Sequence, residues 1–318
     1  MDRHMAQDDT QKGAGKTKPC GGRRMKRGEV APGSAWALVT GAGSGIGRCY
    51  ALRLAALGYR LVIVGNNAAP LEAVAEEIRT AAKAADRLPA AGAAQQETTR
   101  TDAKTSAACE VRIMAMDLAR PEAAQELYDR TTAEGIGIDV LVNNAGIFSF
   151  CDILATPAER IERIILLHDL TVTQLCRLYA ADMVRRGVRG HILNMSSYSL
   201  WMPFPGLALY SASKAYMRSF SVAFAKEVRE RGIRVTAVCP AGVATDLYGL
   251  TPYWQGIGKK LRVLITPDSC ARRGLRALWR GRRCIVPDWW NRAWIPFCKL
   301  LPMWVLRPLR GFTMRFQK

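Results

Sequence analysis

A glycine-rich turn between an apolar strand and a helix constrains this chain more than any other feature. Residues 40–47 read Thr-Gly-Ala-Gly-Ser-Gly-Ile-Gly. The preceding run, residues 35–40, is mostly apolar, which is typical of a buried parallel strand. Residues 48–57 place apolar side chains at helical spacing, and Gly58 ends that helix. Because such a turn presents backbone N–H groups to a pyrophosphate, the pattern favours a dinucleotide site over an ordinary turn.

The end of the second strand predicts which dinucleotide binds. Residues 60–64 form another apolar run, followed by Gly65, Asn66 and Asn67. A carboxylate at this place would bind the adenosine ribose and favour NAD(H). Gly65 occupies it instead, which removes the repulsion against a 2′-phosphate, although no arginine stands at Asn66 to grip that phosphate. Arg48, just past the glycines, is a candidate cation for it. The sequence therefore favours NADP(H) over NAD(H).

A phenol and an ammonium lie one helical turn apart at residues 210–214, which read Tyr-Ser-Ala-Ser-Lys. A free tyrosine titrates near ~10, and a nearby ammonium stabilises the phenolate. Residues at i and i+4 share a helix face, so Lys214 can modulate Tyr210 as a general acid/base. A solvated helix face is the alternative. Ser197, which follows an apolar strand over residues 190–193, favours a site because sites in such sheets lie at the strands' carboxyl ends.

From Ala35 to Tyr248 the chain resembles the short-chain dehydrogenase/reductase family, and several motifs carry the resemblance in the family's order. They are Thr40, Gly41, Gly45 and Gly47 in the glycine turn, Asp117-Leu118 after the strand 111–116, Asn143-Asn144-Ala145-Gly146 after residues 139–142, Ser197 thirteen residues before Tyr210, Tyr210 with Lys214, and Pro240-Ala241-Gly242-Val243-Ala244-Thr245.

The resemblance implies an α/β fold with a doubly wound parallel sheet, the Rossmann fold, in a single domain. It also implies interconversion of a ketone and a secondary alcohol, with Tyr210 as acid/base, Lys214 as modulator and ribose ligand, and Ser197 orienting the carbonyl. The cofactor-binding residues that it implies are Thr40, Gly41, Ser44, Gly45, Ile46, Gly47, Asn66, Asp117, Asn144, Ala145, Gly146, Tyr210, Lys214, Pro240, Val243 and Thr245.

Two positions depart from the family pattern. Ala241 stands where the family usually has glycine, which affects only the local turn. Counting back from Ser197 without a gap, the family's fourth catalytic residue, an asparagine, falls on Asp169. That asparagine helps to hold a water that links the lysine to solvent. A carboxylate can also bind water but brings a charge, and a shift of one residue would place His168 there instead.

Other chemistries find little support in the sequence. There are three histidines and nine scattered cysteines without a Cys-x-x-Cys pair, which argues against a zinc site or a disulfide framework. Reduced thiols suit a cytosol-facing protein, and residues 1–34 lack the apolar core of a signal peptide. We therefore expect a cytoplasmic protein, with peripheral membrane contact as a further option, and no metal.

The 318 residues suggest one α/β domain with extensions. Residues 1–34 are polar and predict a disordered basic tail. The catalytic domain is placed at residues 35–257. Within it, residues 80–108 are poor in large apolar side chains and predict a helix extension plus a flexible insertion. Residues 258–318 form a basic, tryptophan-rich extension.

Charge is concentrated at the two ends of the chain. The net charge is +19, of which residues 1–34 hold +4 and residues 258–318 hold +13. In the latter segment aromatic and apolar residues alternate with basic ones. The apolar members are Trp289, Trp290, Trp294, Phe297, Leu300, Leu301, Trp304, Val305 and Leu306, the basic ones Arg292, Lys299 and Arg307, and Pro296, Pro302 and Pro308 are expected to interrupt any long helix.

Two interpretations of this segment stay open with equal weight. Tryptophan beside basic residues suits an anionic membrane interface, although no run reaches the ~20 apolar residues of a spanning helix. A substrate lid or a homodimer face would bury the same rings. Nucleic acid is not expected as a partner, because no nucleic-acid-binding fold is recognisable.

The substrate prediction rests on residues 201–205, which read Trp-Met-Pro-Phe-Pro between the serine and the tyrosine, and on the tryptophan-rich segment. Both favour an apolar substrate such as a lipid, a steroid or an acyl chain. The competing hypothesis is a non-catalytic nucleotide sensor or membrane scaffold on the same fold. The complete set of Ser197, Tyr210 and Lys214 argues against it, whereas Asp169 leaves it open.

Overall fold

The computed structural model describes residues 34–87, 110–202, 204–245, Tyr253, Gly256 and 264–299. Its centre is a parallel sheet of seven strands in the order β3-β2-β1-β4-β5-β6-β9. These strands are β1 Trp36–Thr40, β2 Arg60–Gly65, β3 Val111–Ala115, β4 Ile138–Asn143, β5 His191–Met195, β6 Arg234–Val238 and β9 Cys284–Ile285. Two short strands, β7 Gly242–Val243 and β8 Leu264–Ile265, pair separately.

Helices cover both faces of the sheet. They are α1 Gly45–Ala56, α2 Ala68–Arg87, α3 Ala123–Ala133, α4 Ala158–Ile165, α5 Thr171–Arg185, α6 Ala208–Glu227, α7 Pro267–Trp279 and α8 Trp289–Lys299. A π-helical turn, Leu166–Leu170, joins α4 to α5, and a short 3₁₀ helix, Tyr198–Trp201, precedes α6. Helices α3, α5 and α6 bury one apolar layer, and α1, α2 and α7 bury the other. The predicted doubly wound α/β fold is therefore confirmed.

The strand order of the sheet reverses at β1. This strand pairs with β2 on one side, where Thr40 lies beside Val64, and with β4 on the other, where Val39 lies beside Val142. Because the connections leave β1 and β4 in opposite directions, a crevice opens outside their carboxyl ends, which is where open α/β sheets bind ligands. The glycine turn lies at this crevice.

The domain extends beyond the boundary expected at residue 257. Helix α7 packs closely on α1: a Cβ built on Gly274 would lie 2.3 Å from the Tyr50 hydroxyl. Arg53 and Asp268 join the same two helices by a bidentate ion pair. Strand β9 then extends the sheet beside β6. Part of the predicted extension is thus built into the fold, because α7 supplies apolar side chains to one of its two cores.

Other predicted segments fall partly outside the described residues. Helix α2 continues to Arg87, as the helix extension requires, whereas the rest of the expected insertion and the basic tail lie outside them. Helix α8 continues past Pro296, although this proline was expected to interrupt a helix. Residues 300–318 again lie outside the described residues. Among the described helices, none is both long and apolar enough to span a bilayer.

Candidate active site

A cavity of about 720 Å³ lies at the carboxyl ends of the strands, on the crevice beside β1. Most of the predicted cofactor residues line it. They are Gly41, Ser44, Gly45, Ile46, Asn66, Asp117, Asn144, Ala145, Gly146, Tyr210, Lys214, Pro240, Val243 and Thr245. Ser197 lines the same cavity. The structure therefore brings the glycine turn, the acid–base pair and the motif that begins at Pro240 to one place.

The glycine turn has the shape that a pyrophosphate requires. Gly41 and Gly45 adopt φ values of 64° and 54°, which other residues rarely adopt. A Cβ on Gly47 would lie 2.0 Å from the Gly41 carbonyl oxygen, so only glycine lets α1 begin directly against the turn. The turn and the first N–H groups of α1 fit a dinucleotide phosphate.

Two predicted cofactor residues, Thr40 and Gly47, lie behind the cavity wall. The Thr40 side chain is buried, and its Oγ1 accepts hydrogen bonds from the N–H groups of Asn144 and Ala145, both at 3.0 Å. Asn144 in turn donates from Nδ2 to the carbonyl oxygens of Thr40 and Gly41. These bonds join the turns that follow β1 and β4. Thr40 and Gly47 thus support the cofactor site from behind.

Asp117, another predicted cofactor residue, lines the cavity just beyond the end of β3. Its carboxylate accepts a hydrogen bond from the Ala119 N–H at 2.9 Å and pairs with Arg163 at 3.0 Å. Burial raises the pKa of Asp117, but these two partners outweigh it and hold the pKa below its usual value. Arg163 also lines the cavity. Asp117 is therefore an ionised, fixed acceptor at this end.

The end of β2 carries no charge of its own, since Gly65, Asn66 and Asn67 line the cavity there. Arg48 lines it as well, but Glu77 on α2 binds its guanidinium through both carboxylate oxygens. Arg48, the candidate cation for a 2′-phosphate, is therefore held in an ion pair with Glu77. The pair occupies Nε and Nη2, so contact of Arg48 with that phosphate would use the remaining N–H groups of the guanidinium.

Tyr210 and Lys214 lie together on α6, and both are buried. The Lys214 ammonium lies 5.6 Å from the centre of the Tyr210 ring and donates a hydrogen bond to the Met195 carbonyl at 3.2 Å. Burial lowers the pKa of Lys214 to about 8, against the opposing effects of Asp169 and Cys239. At neutral pH the lysine therefore keeps most of its positive charge next to the phenol.

Ser197 begins the 3₁₀ helix that follows β5, and its Oγ accepts a hydrogen bond from the Ser199 N–H at 3.2 Å. The neighbouring Ser196 donates from Oγ to the Lys214 carbonyl at 2.6 Å, which ties the end of β5 to α6. Ser197 and Tyr210 come from different elements, and both line the cavity. Their hydroxyl groups can face one bound carbonyl oxygen.

The structure departs most from the prediction at the fourth catalytic residue. That residue was predicted as Asp169, with His168 as the alternative. The π-helical turn directs His168 inward, where its ring centre lies 6.0 Å from that of Tyr210. Asp169 is half-buried, does not line the cavity, and its Oδ1 finds no hydrogen-bond partner among the described residues. Burial raises the pKa of Asp169 to about 6, against the pull of Lys214. Asp169 thus acts on Lys214 through charge.

Aromatic side chains outside the family motifs pack against Tyr210 and against one another. Phe148 packs edge-on against Tyr210 at 5.1 Å, and Phe150 lies 5.6 Å from Phe204. Phe148 lines the cavity, and it follows the Asn-Asn-Ala-Gly motif by two residues, which is the signal that could have identified it. Trp201 lies under the Arg218 guanidinium at 5.5 Å. The wall beside Tyr210 is therefore apolar.

Comparison with known proteins finds similarity to dehydrogenases and reductases. A sequence profile described as short chain dehydrogenase matches residues 35–98 and 85–255. The probable oxidoreductase EphD of Mycobacterium tuberculosis is 32% identical over 215 residues, which are 68% of this chain and 32% of that protein. A very-long-chain 3-oxoacyl-CoA reductase of Pyrenophora tritici-repentis is 30% identical over 209 residues, or 65% of this chain and 54% of that protein.

Among solved structures, a short-chain dehydrogenase from Sphingobium yanoikuyae in complex with NADPH is similar to this chain. The TM-score is 0.66 with 27% sequence identity, over 90% of this chain and 97% of that one. The two curated relatives are longer than the matched region, because this chain spans about a third of the first and about half of the second.

Proposed function

Because this chain belongs to the short-chain dehydrogenase family, we propose that it is a nicotinamide-dependent oxidoreductase that interconverts a ketone and a secondary alcohol on an apolar substrate. One observation carries the proposal. Ser197, Tyr210 and Lys214 meet in the same cavity that the glycine turn lines. Reduction of a carbonyl by a nicotinamide requires a site for the dinucleotide phosphates and a proton donor in the same cavity, and this cavity offers both.

The chain's own residues supply the proton and the orientation. The bound nicotinamide would exchange a hydride with the carbonyl carbon. The Tyr210 hydroxyl donates its proton to the carbonyl oxygen as negative charge develops there, and the Ser197 hydroxyl orients that oxygen by a hydrogen bond. The Lys214 ammonium favours the phenolate that remains on Tyr210. In the direction of alcohol oxidation the same phenolate accepts the proton.

Three features support NADP(H) as the preferred cofactor. The end of β2 presents no carboxylate to repel a 2′-phosphate, since Gly65 stands there. Asn66 and Asn67 offer amide donors at the same place. The similar Sphingobium enzyme holds NADPH. The pairing of Arg48 with Glu77 limits this preference, because the cation nearest in sequence to the glycine turn is already engaged.

The apolar wall around Phe148 supports a hydrophobic substrate, and so does the similarity to a very-long-chain 3-oxoacyl-CoA reductase. Helix α8 lies against the 3₁₀ helix that follows Ser197 and exposes aromatic rings nearby. Trp290, Trp294 and Phe297 are 48%, 45% and 61% exposed, and their rings contact one another. These rings suit contact with an anionic membrane surface from which such a substrate is taken. A homodimer that covers them is the alternative.

Replacing Tyr210 by phenylalanine tests the catalytic proposal. Tyr210→Phe removes the proton donor and keeps the ring, so kcat for NADPH oxidation with a responsive ketone should fall at least about 100-fold while NADPH still binds. Tyr216→Phe is the matched control, because Tyr216 lies on the same helix but is exposed and bonds to Thr173. Turnover close to wild type in Tyr210→Phe would refute the assignment. Cofactor binding without turnover on any ketone or alcohol would favour the nucleotide sensor.

A further inference from the structure

His168 occupies an unusual position for an ionisable side chain. It is fully buried in the π-helical turn Leu166–Leu170, and neither of its ring nitrogens reaches the cavity. A π-helical turn adds a residue to the ordinary helical turn, so it changes which side chain faces inward, and such turns frequently occur at functional sites. Burial and the neighbouring Lys214 lower the pKa of His168 well below its usual value. The ring is therefore neutral.

The hydrogen bonds of His168 define a single tautomer. The Ile147 N–H donates to Nε2 at 2.9 Å, so Nε2 carries the lone pair and Nδ1 carries the proton. Nδ1 lies 2.9 Å from the Ser213 Oγ, which itself donates to the Tyr210 carbonyl at 2.9 Å. The donors and acceptors thus form one directed chain from the turn after β4, through the imidazole, to the first turn of α6.

The same ring packs against the wall of the cofactor cavity. A Cβ built on Gly146 would lie 3.0 Å from His168 Nε2 and 3.5 Å from Lys214 Nζ. The imidazole and the ammonium therefore occupy the space beside the Gly146 Cα, which leaves little room for a side chain there. A shift of the ring would move the segment Ala145–Ile147, which lines the cavity, relative to Tyr210 and Lys214 on α6.

We propose that His168 is a positioning residue: as a neutral ring with its proton on Nδ1, it fixes the turn Gly146–Ile147 to the Tyr210 end of α6. The role rests on the proposed function, because what it positions is the acid–base pair against the bound nicotinamide. Neither the glycine turn nor the tyrosine–lysine motif assigns any role to this histidine. Because the imidazole does not line the cavity, it acts through the backbone groups that it holds.

Variants that separate the two hydrogen bonds test the role. His168→Leu keeps an apolar side chain but removes both bonds, and kcat should fall roughly 10- to 100-fold because small misplacements of reacting groups are costly. His168→Gln offers a carbonyl to the Ile147 N–H and should recover most of that loss, and Ser213→Ala should lose only the Nδ1 partner and fall between them. His191→Gln, at the amino end of β5, is the control and should leave kcat unchanged. Equal kcat and NADPH affinity in wild type, His168→Leu and Ser213→Ala would overturn the proposal.

A measurement without turnover keeps this inference separate from the proposed reaction. In ¹⁵N-histidine-labelled wild-type protein, the His168 resonances should report a proton on Nδ1, a bare Nε2 and no titration between pH 5 and 8, and His168→Gln identifies the signal. A titrating His168, or a proton on Nε2, would overturn the proposal. If no ketone is turned over but the Nδ1 tautomer is found and His168→Leu weakens NADPH binding, the positioning role stands and the reaction does not.

Discussion

Replacing Gly65 by aspartate should shift the cofactor preference from NADPH toward NADH by about two orders of magnitude. The position tolerates a side chain: a Cβ built on Gly65 would lie 3.5 Å from Leu71 Cδ2, an ordinary contact, and the backbone φ is not left-handed. Gly65 ends β2, and its carbonyl accepts the Met116 N–H at 2.8 Å whatever the side chain. A new carboxylate there should reach the adenosine ribose without disturbing the sheet.

The magnitude follows from two opposite effects of that carboxylate. Two unit charges ~5 Å apart interact by about 3 kcal/mol at an effective dielectric constant of ~20 and by about 1 kcal/mol in water. Because Gly65 is partly exposed, NADPH should lose about 1.5 kcal/mol. A charged hydrogen bond to the ribose hydroxyl should give NADH about 1.5 kcal/mol. Together these amount to about 3 kcal/mol, or a change of about 100-fold in the ratio of the two Kd values.

Fluorescence titration of NADPH and NADH against wild type and variant measures both Kd values directly. Gly65→Asn is the matched control, because it has the same size without the charge, and its Kd ratio should stay within about tenfold of wild type. The shift in Gly65→Asp should shrink as salt is raised, since screening weakens the repulsion. If Gly65→Asp weakens both cofactors equally at unchanged thermal stability, Gly65 does not face the ribose. Strong NADH preference in the wild type would contradict the NADP(H) proposal.

Two further predictions concern the charge near the lysine and the exposed aromatic helix. Asp169→Asn removes the carboxylate that raises the pKa of Lys214, so activity near pH 7 should persist while the Lys214 limb of the pH–rate profile moves below about 8 and the Asp169 limb near 6 disappears. Complete inactivation would give the carboxylate a direct role, and an unchanged profile would exclude the coupling. In liposome co-sedimentation, the full chain should bind anionic vesicles at low salt and less at high salt, as the screening length falls from ~10 Å at 0.1 M to ~3 Å at 1 M. Replacing both Trp290 and Trp294 by serine should weaken that binding. Val184→Ser is the control, because Val184 is an exposed apolar residue on α5, and it should not weaken binding. A full chain that stays in the supernatant would instead favour a lid or a dimer face.

Much of the fold could be predicted because its signals are local. Neighbouring residues encode the strand that ends at Thr40 and the helix that contains Gly47. Polar site residues likewise come directly after the apolar runs of β4 and β5. In a parallel sheet these ends meet at one edge, so the cavity followed from the order of the motifs.

The remainder depends on tertiary contacts that leave no local pattern. Each residue along a helix turns the side chain by ~100°, so a single π-helical turn decides whether His168 or Asp169 faces inward. The ion pair of Arg48 with Glu77 joins helices α1 and α2. Nothing in the sequence indicates that these two charged residues lie next to each other. Strand β9 has two residues, which is too short for any periodic signal.

The packing of α7 on α1 also sets the order in which the newly made chain can finish folding. Arg53 and Asp268 are 215 residues apart in sequence, yet they join these two helices. Until the later helix leaves the ribosome, the side of the earlier one that it covers, which carries Tyr50, stays exposed. Apolar surface that stays exposed through so much of synthesis is a target for chaperones and a route to aggregation. A variant that weakens α7 should therefore lower the yield of native protein in cells more than it lowers the stability of molecules that have already folded.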